Sequence, residues 1–257
     1  QMPVMETTAV ANSAPLAVQN ERQAQEKQRL DSSAQAALNK FLASTDRLQF
    51  SKPETIKISI VLIFYQQAHL SLLCLQSLLE HADVSFELII IDNNSTDATD
   101  RLLEKIENAT IIRNAENLGF VKAVNQGAEA ANGEYVLLLN NDALIEKNTL
   151  SNALAVIDSD ESVGAVGAKI KLLDGSTQEA GSIIWSDGAC LGYGRGRSPT
   201  APEFMYQRDV DYCSGAFLLF RRSTFMALDG FDLADAPAYY EESDFCIRLQ
   251  KQGLRIV

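Results

Sequence analysis

Runs of apolar residues of strand length alternate with helical patterns through the middle of the chain. The segments 58–64, 86–92 and 135–139 are almost continuously apolar, which is typical of strands that are buried on both faces. Between them, residues 69–80 and 121–131 have apolar positions at helical spacing. Strands that alternate with helices in this way predict an α/β fold with a mainly parallel sheet and helices on both of its faces.

Four shorter patterns extend this alternation. They predict strands at 110–112, 210–220 and 254–257, and a helix at 242–252. Past about residue 180 the chain also becomes richer in glycine and aromatic residues. Because the sequence stops inside the last predicted strand, we expect the chain to be a fragment of a longer protein with further domains.

The first 50 residues have a different composition. Residues 1–18 are small and polar and include proline, so we expect them to be disordered. Residues 19–50 are rich in Gln, Glu, Ala and Lys, and their apolar residues form one helical stripe from Leu30 to Leu42. The pattern predicts an amphipathic helical extension and a linker, followed by the α/β domain at residues 51–257.

Charge and cysteine content narrow the range of ligands and locations. The net charge is −12, which argues against nucleic acid as a partner because nucleic-acid binding requires clustered Lys and Arg. No apolar run approaches the roughly 20 residues that a transmembrane helix needs. The four cysteines include no CxxC pair and are too sparse for a disulfide framework. The sequence therefore favours a cytoplasmic location, with peripheral association at the inner membrane as the alternative.

Polar and acidic residues follow three of the predicted strands. Tyr65 follows the first strand, Asp92 to Asn94 end the second, and Asn140 to Asp142 end the fourth. A single Asp or Asn is often only a turn former, but ligands of open parallel sheets bind at the carboxyl ends of the strands. Three polar strand ends therefore favour a binding site. The sequence lacks G-x-G-x-x-G after the first strand and lacks G-x-x-x-x-G-K-[ST], which disfavours dinucleotide reductases and P-loop NTPases.

Six segments resemble, in order and spacing, the motifs of one enzyme family. Residues 59–66 resemble the family's opening strand S-I-V-I-P-x-Y-N, and residues 91–97 resemble its V-D-N-x-S-x-D motif. Residues 117–127 resemble its N-x-G-F-x4-N-x-G motif, and residues 138–142 occupy the place of its D-x-D motif. Residues 211–216 resemble its acceptor-side strand and loop, and residues 240–248 resemble its E-D-x-D-x-x-x-R motif. The family is the inverting family 2 glycosyltransferases of GT-A fold. The similarity is greatest to the rhamnosyltransferase-like, cell-surface polysaccharide branch, and it covers about residues 57–257.

This resemblance implies transfer of a sugar from a UDP- or dTDP-linked donor to a hydroxyl acceptor, with inversion, in polysaccharide or glycan synthesis. The implied partners are a nucleotide-sugar donor and a saccharide or lipid-linked saccharide acceptor. A nucleotide-binding half is implied at about 57–145 and an acceptor half at about 146–257. The implied nucleotide-binding residues are Tyr65, Asp92, Asn94, Asn117, Gly119, Asn140 and Asn141.

Two groups would carry the implied chemistry. A divalent cation, Mn²⁺ or Mg²⁺, would offset the charge that develops on the leaving diphosphate, and the resemblance places its ligand at Asp142. Asn140 stands where the family has the first Asp of D-x-D, so we expect weak metal affinity in the absence of nucleotide. Glu242, where the family more often has Asp, is the implied base that takes the proton of the acceptor. The resemblance also implies supporting roles for Glu241, Asp244 and Arg248, and acceptor-side positions at Gly215 and Ala216.

Two alternatives remain open at the level of sequence. The departures from the family pattern at Asn140 and Glu242 are also compatible with a degenerate, non-catalytic module that binds nucleotide sugars. A sugar-phosphate nucleotidylyltransferase has a similar fold, but it needs a glycine-rich basic loop after the first strand, where this chain has Phe64 to Gln67.

Overall fold

A computed structural model of the chain describes the backbone of residues 16–257 and the side chains of residues 23–257. Its strands are β1 (Leu48–Gln49), β2 (Ile58–Phe64), β3 (Phe86–Asp92), β4 (Ile106–Glu107), β5 (Ala109–Arg113), β6 (Tyr135–Asn140), β7 (Val163–Gly167), β8 (Lys169–Lys171), β9 (Thr177–Ala180), β10 (Ser182–Ile184), β11 (Cys190–Gly192), β12 (Phe217–Arg221) and β13 (Arg255–Ile256). Its α-helices are α1 (Leu16–Ala43), α2 (Ala68–His81), α3 (Thr99–Leu103), α4 (Gly119–Ala130), α5 (Thr149–Ser159), α6 (Arg222–Ala227) and α7 (Glu241–Lys251), and 3₁₀ turns cover Pro202–Phe204 and Leu233–Asp235.

A seven-stranded sheet in the order β13-β7-β12-β6-β2-β3-β5 forms the centre of the fold. β2 pairs in parallel with β3 on one side and with β6 on the other, as the continuous apolar runs predict. β12 is antiparallel to both of its neighbours, β6 and β7. The predicted α/β class with a mainly parallel sheet is confirmed.

The side chains of β2 alternate between two hydrophobic cores, one on each face of the sheet. Ile60 and Leu62 join the core that contains residues of α1, α2 and α5, whereas Val61 joins the core that contains residues of α4, α6 and α7. This two-residue period is the geometry of an extended strand. Burial on both faces explains why β2 contains hardly any polar residue.

The N-terminal helix is part of the first core. Leu38 and Phe41 of α1 belong to the same cluster as the α2 side chains, and Asp31 lies 3.6 Å from the His69 ring nitrogen at the start of α2. Although α1 has 28 residues, no helix within residues 16–257 is both long enough and apolar enough to cross a membrane. The predicted helical extension is therefore an integral layer of the α/β core.

Two details near the N-terminus differ from the expected division of the chain. The helix begins at Leu16, inside the segment 1–18 that was expected to be disordered, and residues 1–15 of that segment lie outside the described residues. Within the expected linker, β1 pairs in parallel with β4, and Phe50 is buried in the first core. The core thus includes residues before position 51, because the apolar side chains of α1 and β1 cover one side of the sheet.

The predicted strand at 210–220 is wrong in extent. Only Phe217 to Arg221 form β12, and residues 213–216 form a loop that leads into it. The backbone N–H of Asn140 donates to the carbonyl of Ala216 at 3.2 Å. The loop before β12 therefore lies at the carboxyl end of β6.

Replacement of Leu38 by Ala tests whether α1 is an integral layer. Leu38 is fully buried, and removal of a buried Leu side chain leaves a cavity that costs about 2–5 kcal/mol. We expect a loss of this size in the free energy of unfolding, measured by urea denaturation with a single cooperative transition. Gln35→Ala, at an exposed position of the same helix, is the matched control and should change stability by less than about 0.5 kcal/mol. Equal stability of the two variants would contradict the account.

Candidate functional site

The carboxyl ends of the neighbouring parallel strands β3, β2 and β6 bring three of the predicted nucleotide-binding residues, Asp92, Tyr65 and Asn140, to one edge of the sheet. In the register of the sheet Asp92 lies opposite Phe64, the last residue of β2. On the other side of β2, Asn140 lies opposite Ile63. Asp92 and Asn140 are therefore separated by two strand spacings, about 10 Å. The edge between them is open to a ligand because β2 ends there at Phe64, and the next residue, Tyr65, is half-exposed.

Asp92 is a buried carboxylate with one oxygen in use. Its side chain is only 6% exposed, and Oδ1 accepts a hydrogen bond from the Ser95 N–H at 3.1 Å. No other hydrogen bond from the described residues reaches this carboxylate. The arrangement fixes the side chain and leaves acceptor capacity for a ligand N–H.

Asn93, which is absent from the nucleotide-binding residues that the resemblance implies, holds the neighbouring loop in place. Its Nδ2 donates to the carbonyl of Gly119 at 3.1 Å, and its Oδ1 accepts from Asn114 at 2.9 Å and from the Leu118 N–H at 3.2 Å. Asn94, which sequence analysis did name, is exposed and has a φ of 65°. Both residues belong to the same D-N-N run, and the run alone does not indicate which side chain points inward.

Gly119 allows a close approach between two loops. It has a φ of 79°, and a Cβ at this position would lie 2.9 Å from the carbonyl oxygen of Pro237. The next N–H, that of Phe120, donates to this Pro237 oxygen at 3.0 Å. Exposed Asn117 caps the same turn, since its Oδ1 accepts from the Gly119 N–H at 2.9 Å. Gly119, which the resemblance implies is a nucleotide-binding residue, thus makes its close backbone approach to the segment before α7.

Phe120 connects this turn to the loop before β12. A Cβ at Gly215 would lie 3.4 Å from the Phe120 ring, so the ring packs against the loop before β12. The start of α4, the loop at 213–216 and the segment before α7 therefore meet at one residue, Phe120, which contacts the loop through its ring and the segment through its backbone N–H. These are three of the motifs that the sequence places far apart.

The turn after β6 presents one carboxylate, that of Asp142. Asp142 is exposed, whereas the Asn141 side chain is turned toward α2, where its Nδ2 donates to Ser71 Oγ at 2.8 Å. Burial, together with the nearby charge of Asp142, raises the pKa of the Cys74 thiol, which contacts the Asn140 carbonyl at 3.6 Å. Cys74 is thus a packed, protonated thiol beneath the turn.

The protein supplies too few oxygen ligands at this turn to hold a cation by itself, so a bound molecule would have to supply the remaining ligands. Within residues 16–257 no three His, Cys, Asp or Glu side chains form a metal-binding cluster. Mg²⁺ and similar hard cations commonly take one or two carboxylates together with substrate phosphates and waters. Asp142 therefore fits a cation that is held jointly with the diphosphate of a bound nucleotide.

Glu242, in the first turn of α7, lies beside the loop before β12. Burial raises the pKa of its carboxyl above the ordinary value, and the N–H of Gly215, which faces the carboxylate, partly opposes this shift. A partly buried carboxylate at this position is a stronger base than an exposed one, once it has lost its proton.

The other acidic residues of α7 are engaged differently. Glu241 is 4% exposed, and burial, together with the charges of Glu242 and Asp235, raises its pKa to about 7. Asp244 accepts from Arg248 Nε at 2.6 Å, and Arg248 Nη1 donates to the Leu228 carbonyl at 2.8 Å. Asp244 is thus paired with Arg248 and Glu241 is buried, whereas the Glu242 carboxylate faces the N–H of Gly215.

A further buried carboxylate, Glu179 of β9, is one that sequence analysis missed. It is 5% exposed, and its Oε1 accepts from the Ser214 N–H at 3.3 Å. Burial is the main reason that the pKa of its carboxyl is raised, and the nearby charge of Glu242 raises this pKa further. The adjacent amides of Ser214 and Gly215 therefore face two neighbouring carboxylates. No sequence signal could have found Glu179, because its burial depends on a loop 35 residues away.

Comparison with known sequences gives support for the family resemblance that does not depend on the individual motifs. The chain is 29% identical over 222 residues to the O-antigen biosynthesis protein RfbC of Myxococcus xanthus, which covers 82% of this chain but only 17% of RfbC. It is 21% identical over 205 residues to the Bacillus subtilis glycosyltransferase EpsE, which covers 77% of this chain and 68% of EpsE. The chain spans a fifth or less of the length of the first two curated relatives that it matches.

Solved structures show the same fold. Staphylococcus aureus TarS in complex with UDP-GlcNAc superposes with a TM-score of 0.56 at 23% identity, over 79% of this chain and 56% of that one. The mannosyltransferase PcManGT of Pyrobaculum calidifontis, in complex with GDP-Man and Mn²⁺, gives a TM-score of 0.57 at 18% identity, over 93% of this chain and 63% of that one. The predicted GT-A fold is confirmed by these structures. The family model described as Glycosyl transferase family 2 matches residues 59–228, and we conclude that the chain belongs to glycosyl transferase family 2.

Proposed function

We propose that the chain is the catalytic domain of an enzyme that transfers a sugar, with inversion, from a UDP- or dTDP-linked donor to a hydroxyl of a saccharide or lipid-linked saccharide. The observation that carries the proposal is the contact between the Asn140 N–H and the Ala216 carbonyl, at 3.2 Å. It joins the turn that carries Asp142 to the loop that faces Glu242. A candidate metal ligand and a candidate base therefore lie on either side of one backbone contact.

The relatives support a role in the synthesis of cell-surface polysaccharide. RfbC is described as an O-antigen biosynthesis protein, and TarS is a poly(ribitol-phosphate) β-N-acetylglucosaminyltransferase. We place the reaction in the cytoplasm, since none of the four cysteines forms a disulfide and reduced thiols are typical of that compartment.

The donor would bind along the edge from Asp92 to Asp142. The free acceptor capacity of Asp92 would take the ring N–H of uracil or thymine, and Tyr65 would pack near the base. Asn140, on the other side of β2 from Asp92, would contact hydroxyls of the ribose or the sugar. A divalent cation held by Asp142 and the diphosphate would offset the negative charge of the leaving group. Such an offset is needed in a chain whose net charge is −12.

Glu242 would act as the base. The acceptor oxygen forms a bond to the anomeric carbon, the bond from that carbon to the diphosphate oxygen breaks, and the diphosphate leaves with the electron pair. The proton of the acceptor hydroxyl passes to the Glu242 carboxylate. Glu241 is unsuited to this role because it is buried away from the loop, and its pKa of about 7 leaves it largely protonated below neutral pH.

Nucleotide binding should be selective for uracil and thymine nucleotides, whose bases carry a ring N–H, and it should be enhanced by metal. We expect calorimetric titration to detect UDP or dTDP in preference to GDP and CDP, and to show tighter binding when Mn²⁺ or Mg²⁺ is present. Asp142→Ala should abolish the metal enhancement because it removes the only protein carboxylate at the turn after β6. Glu161→Ala, at an exposed acidic position between α5 and β7, is the control for a general change in charge.

Two outcomes of this titration would count against the donor site. Undiminished metal enhancement in Asp142→Ala would place the cation elsewhere, and a folded protein that binds no nucleotide would contradict the site altogether. Metal-dependent binding of UDP without turnover of any donor would instead favour the non-catalytic module. Such a module is compatible with Asn140, which stands where the family has the first Asp of D-x-D.

Replacement of Glu242 by Gln should remove turnover while donor binding is retained. General-base catalysis contributes typically 10²- to 10⁴-fold, so we expect kcat to fall by about that factor. In the wild type, kcat/KM should rise with pH through a pKa above the ordinary glutamate value of about 4.3, because burial raises the pKa of Glu242. Glu242→Asp, the residue more usual in the family, should retain part of the activity. If Glu242→Gln keeps wild-type kcat, Glu242 is not the base.

Glu241 should make the protein less stable as pH rises. Its pKa is about 7 in the folded state and about 4.3 in an unfolded chain, so the folded state holds a proton that the unfolded chain has already lost between these values. Stability therefore falls as pH rises from about 4.3 to 7. Glu241→Gln should remove this slope and stabilise the protein at pH 8 by about 1–3 kcal/mol, as measured by denaturant unfolding at pH 5 and 8. Glu161→Gln should have no such effect, and a Glu241→Gln variant less stable than wild type at pH 8 would refute the assignment.

A further inference from the structure

Two adjacent tyrosines immediately before α7 are exposed to solvent. Tyr239 is 82% exposed and Tyr240 is 58% exposed. In the described part of the chain neither ring stacks on another aromatic ring, and neither hydroxyl makes a hydrogen bond. Large exposed apolar surfaces next to a polar cleft mark binding sites more often than accidents of packing.

The backbone holds these rings outward at a cost. Tyr239 has a φ of 84° and Tyr240 a φ of 70°, values that are genuine outliers for bulky residues. Strained residues of this kind persist where the surrounding structure fixes them, and they concentrate at functional sites. Here both ends of the segment are fixed, since the Pro237 carbonyl accepts from the Phe120 N–H at 3.0 Å and the Tyr240 carbonyl accepts from the Asp244 N–H at 2.7 Å.

The position of the pair relative to the proposed base indicates what it binds. Tyr240 precedes Glu241 and lies two residues before Glu242, and the same segment contacts Gly119 through Pro237. The rings are thus attached to the one segment that touches the donor-side turn and leads directly into the base. The pair therefore lies within three residues of the proposed base along the chain.

We propose that Tyr239 and Tyr240 form the platform that binds the saccharide acceptor, an inference that rests on the proposed function. The flat faces of the rings would pack on the C–H groups of a pyranose, and the phenol hydroxyls would bond to sugar hydroxyls, as expected of rings that are apolar with a polar tip. Exposed tyrosines suit a sugar, which has both kinds of surface, better than they suit a purely apolar ligand.

Three buried atoms around this segment support a change in its position when the acceptor binds. Asp235 Oδ2, Glu241 Oε2 and Arg248 Nη2 are buried and lack a hydrogen-bond partner among the described residues. Buried polar groups without partners are costly. The charge of Arg248 also acts on the Asp235 carboxyl, so both ends of this segment carry polar groups whose hydrogen bonds are incomplete.

Acceptor kinetics of four variants test the platform. The acceptor probes are the p-nitrophenyl glycosides of glucose, galactose, N-acetylglucosamine and rhamnose, used with the UDP- or dTDP-sugar that the wild type hydrolyses. Tyr239→Ala and Tyr240→Ala should each raise the acceptor KM about tenfold, which corresponds to 1.4 kcal/mol. Donor KM and the rate of donor hydrolysis without acceptor should not change. Tyr239→Phe and Tyr240→Phe, which keep the ring, should retain most of the acceptor affinity.

Tyr206→Ala is the matched control, because Tyr206 is 62% exposed, close to the value for Tyr240, but lies outside the segment before α7. It should leave all constants unchanged. An unchanged acceptor KM in both Ala variants would overturn the proposal. So would a wild type that hydrolyses donor but neither uses any of the four glycosides nor binds them in saturation-transfer NMR. A concentration-dependent dimer that the Ala variants abolish, with acceptor KM unaltered, would assign the rings to a second copy of the chain instead.

These outcomes are distinct from failure of the proposed function. If the wild type binds and hydrolyses no nucleotide sugar, the proposed function fails, and the platform fails with it. If it binds and hydrolyses a donor but the Ala variants behave as wild type, only the platform is wrong. Thermal unfolding of each variant shows that a loss of affinity is not a loss of folded protein.

Discussion

The antiparallel pairing of β12 with β6 is the constraint on which the site depends. Parallel neighbours would place the start of β12 at the opposite edge of the sheet, far from the turn that carries Asp142. Because β12 runs the other way, with Phe217 opposite Leu139, its first residues lie beside the last residues of β6. One reversal of strand direction thus brings the edge formed by the parallel strands β3, β2 and β6 into contact with the loop that faces Glu242 and Glu179.

Electrostatics explain why the two halves use carboxylates so differently. Asp142 is exposed, so it is accessible to a hard cation. Glu179, Glu241 and Glu242 are wholly or partly buried near one another, and burial raises the pKa of each. Like charges in a low-dielectric region cannot all be ionised cheaply. The carboxyls of Glu179, Glu241 and Glu242 therefore have raised pKa values, whereas Asp142 lies in solvent, where a cation can reach it.

The sequence predicts the parts of the fold that follow from continuous apolar runs. β2, β3 and β6 match their predicted bounds within one residue, because burial on both faces requires apolar residues at nearly every position. The strand direction of β12 was beyond prediction, since a short apolar strand has the same composition in either direction. The short strands β8 to β11 contain as many polar as apolar residues, so periodicity does not reveal them. For the same reason Glu179 could not be distinguished from a solvated glutamate, whereas Asp92, Asp142 and Glu242 could be named because each lies in a motif.

The central claim is that one nucleotide lies along the edge from Asp92 to Asp142, with its cation at Asp142. Crystals grown with UDP and Mn²⁺ and measured at the manganese absorption edge test this claim directly, because anomalous scattering locates the metal without reference to the fold. The account predicts a single strong peak in contact with the Asp142 carboxylate and the diphosphate, with the uracil ring N–H bonded to Asp92. A manganese peak remote from Asp142, or a uracil bound away from Asp92, would contradict it.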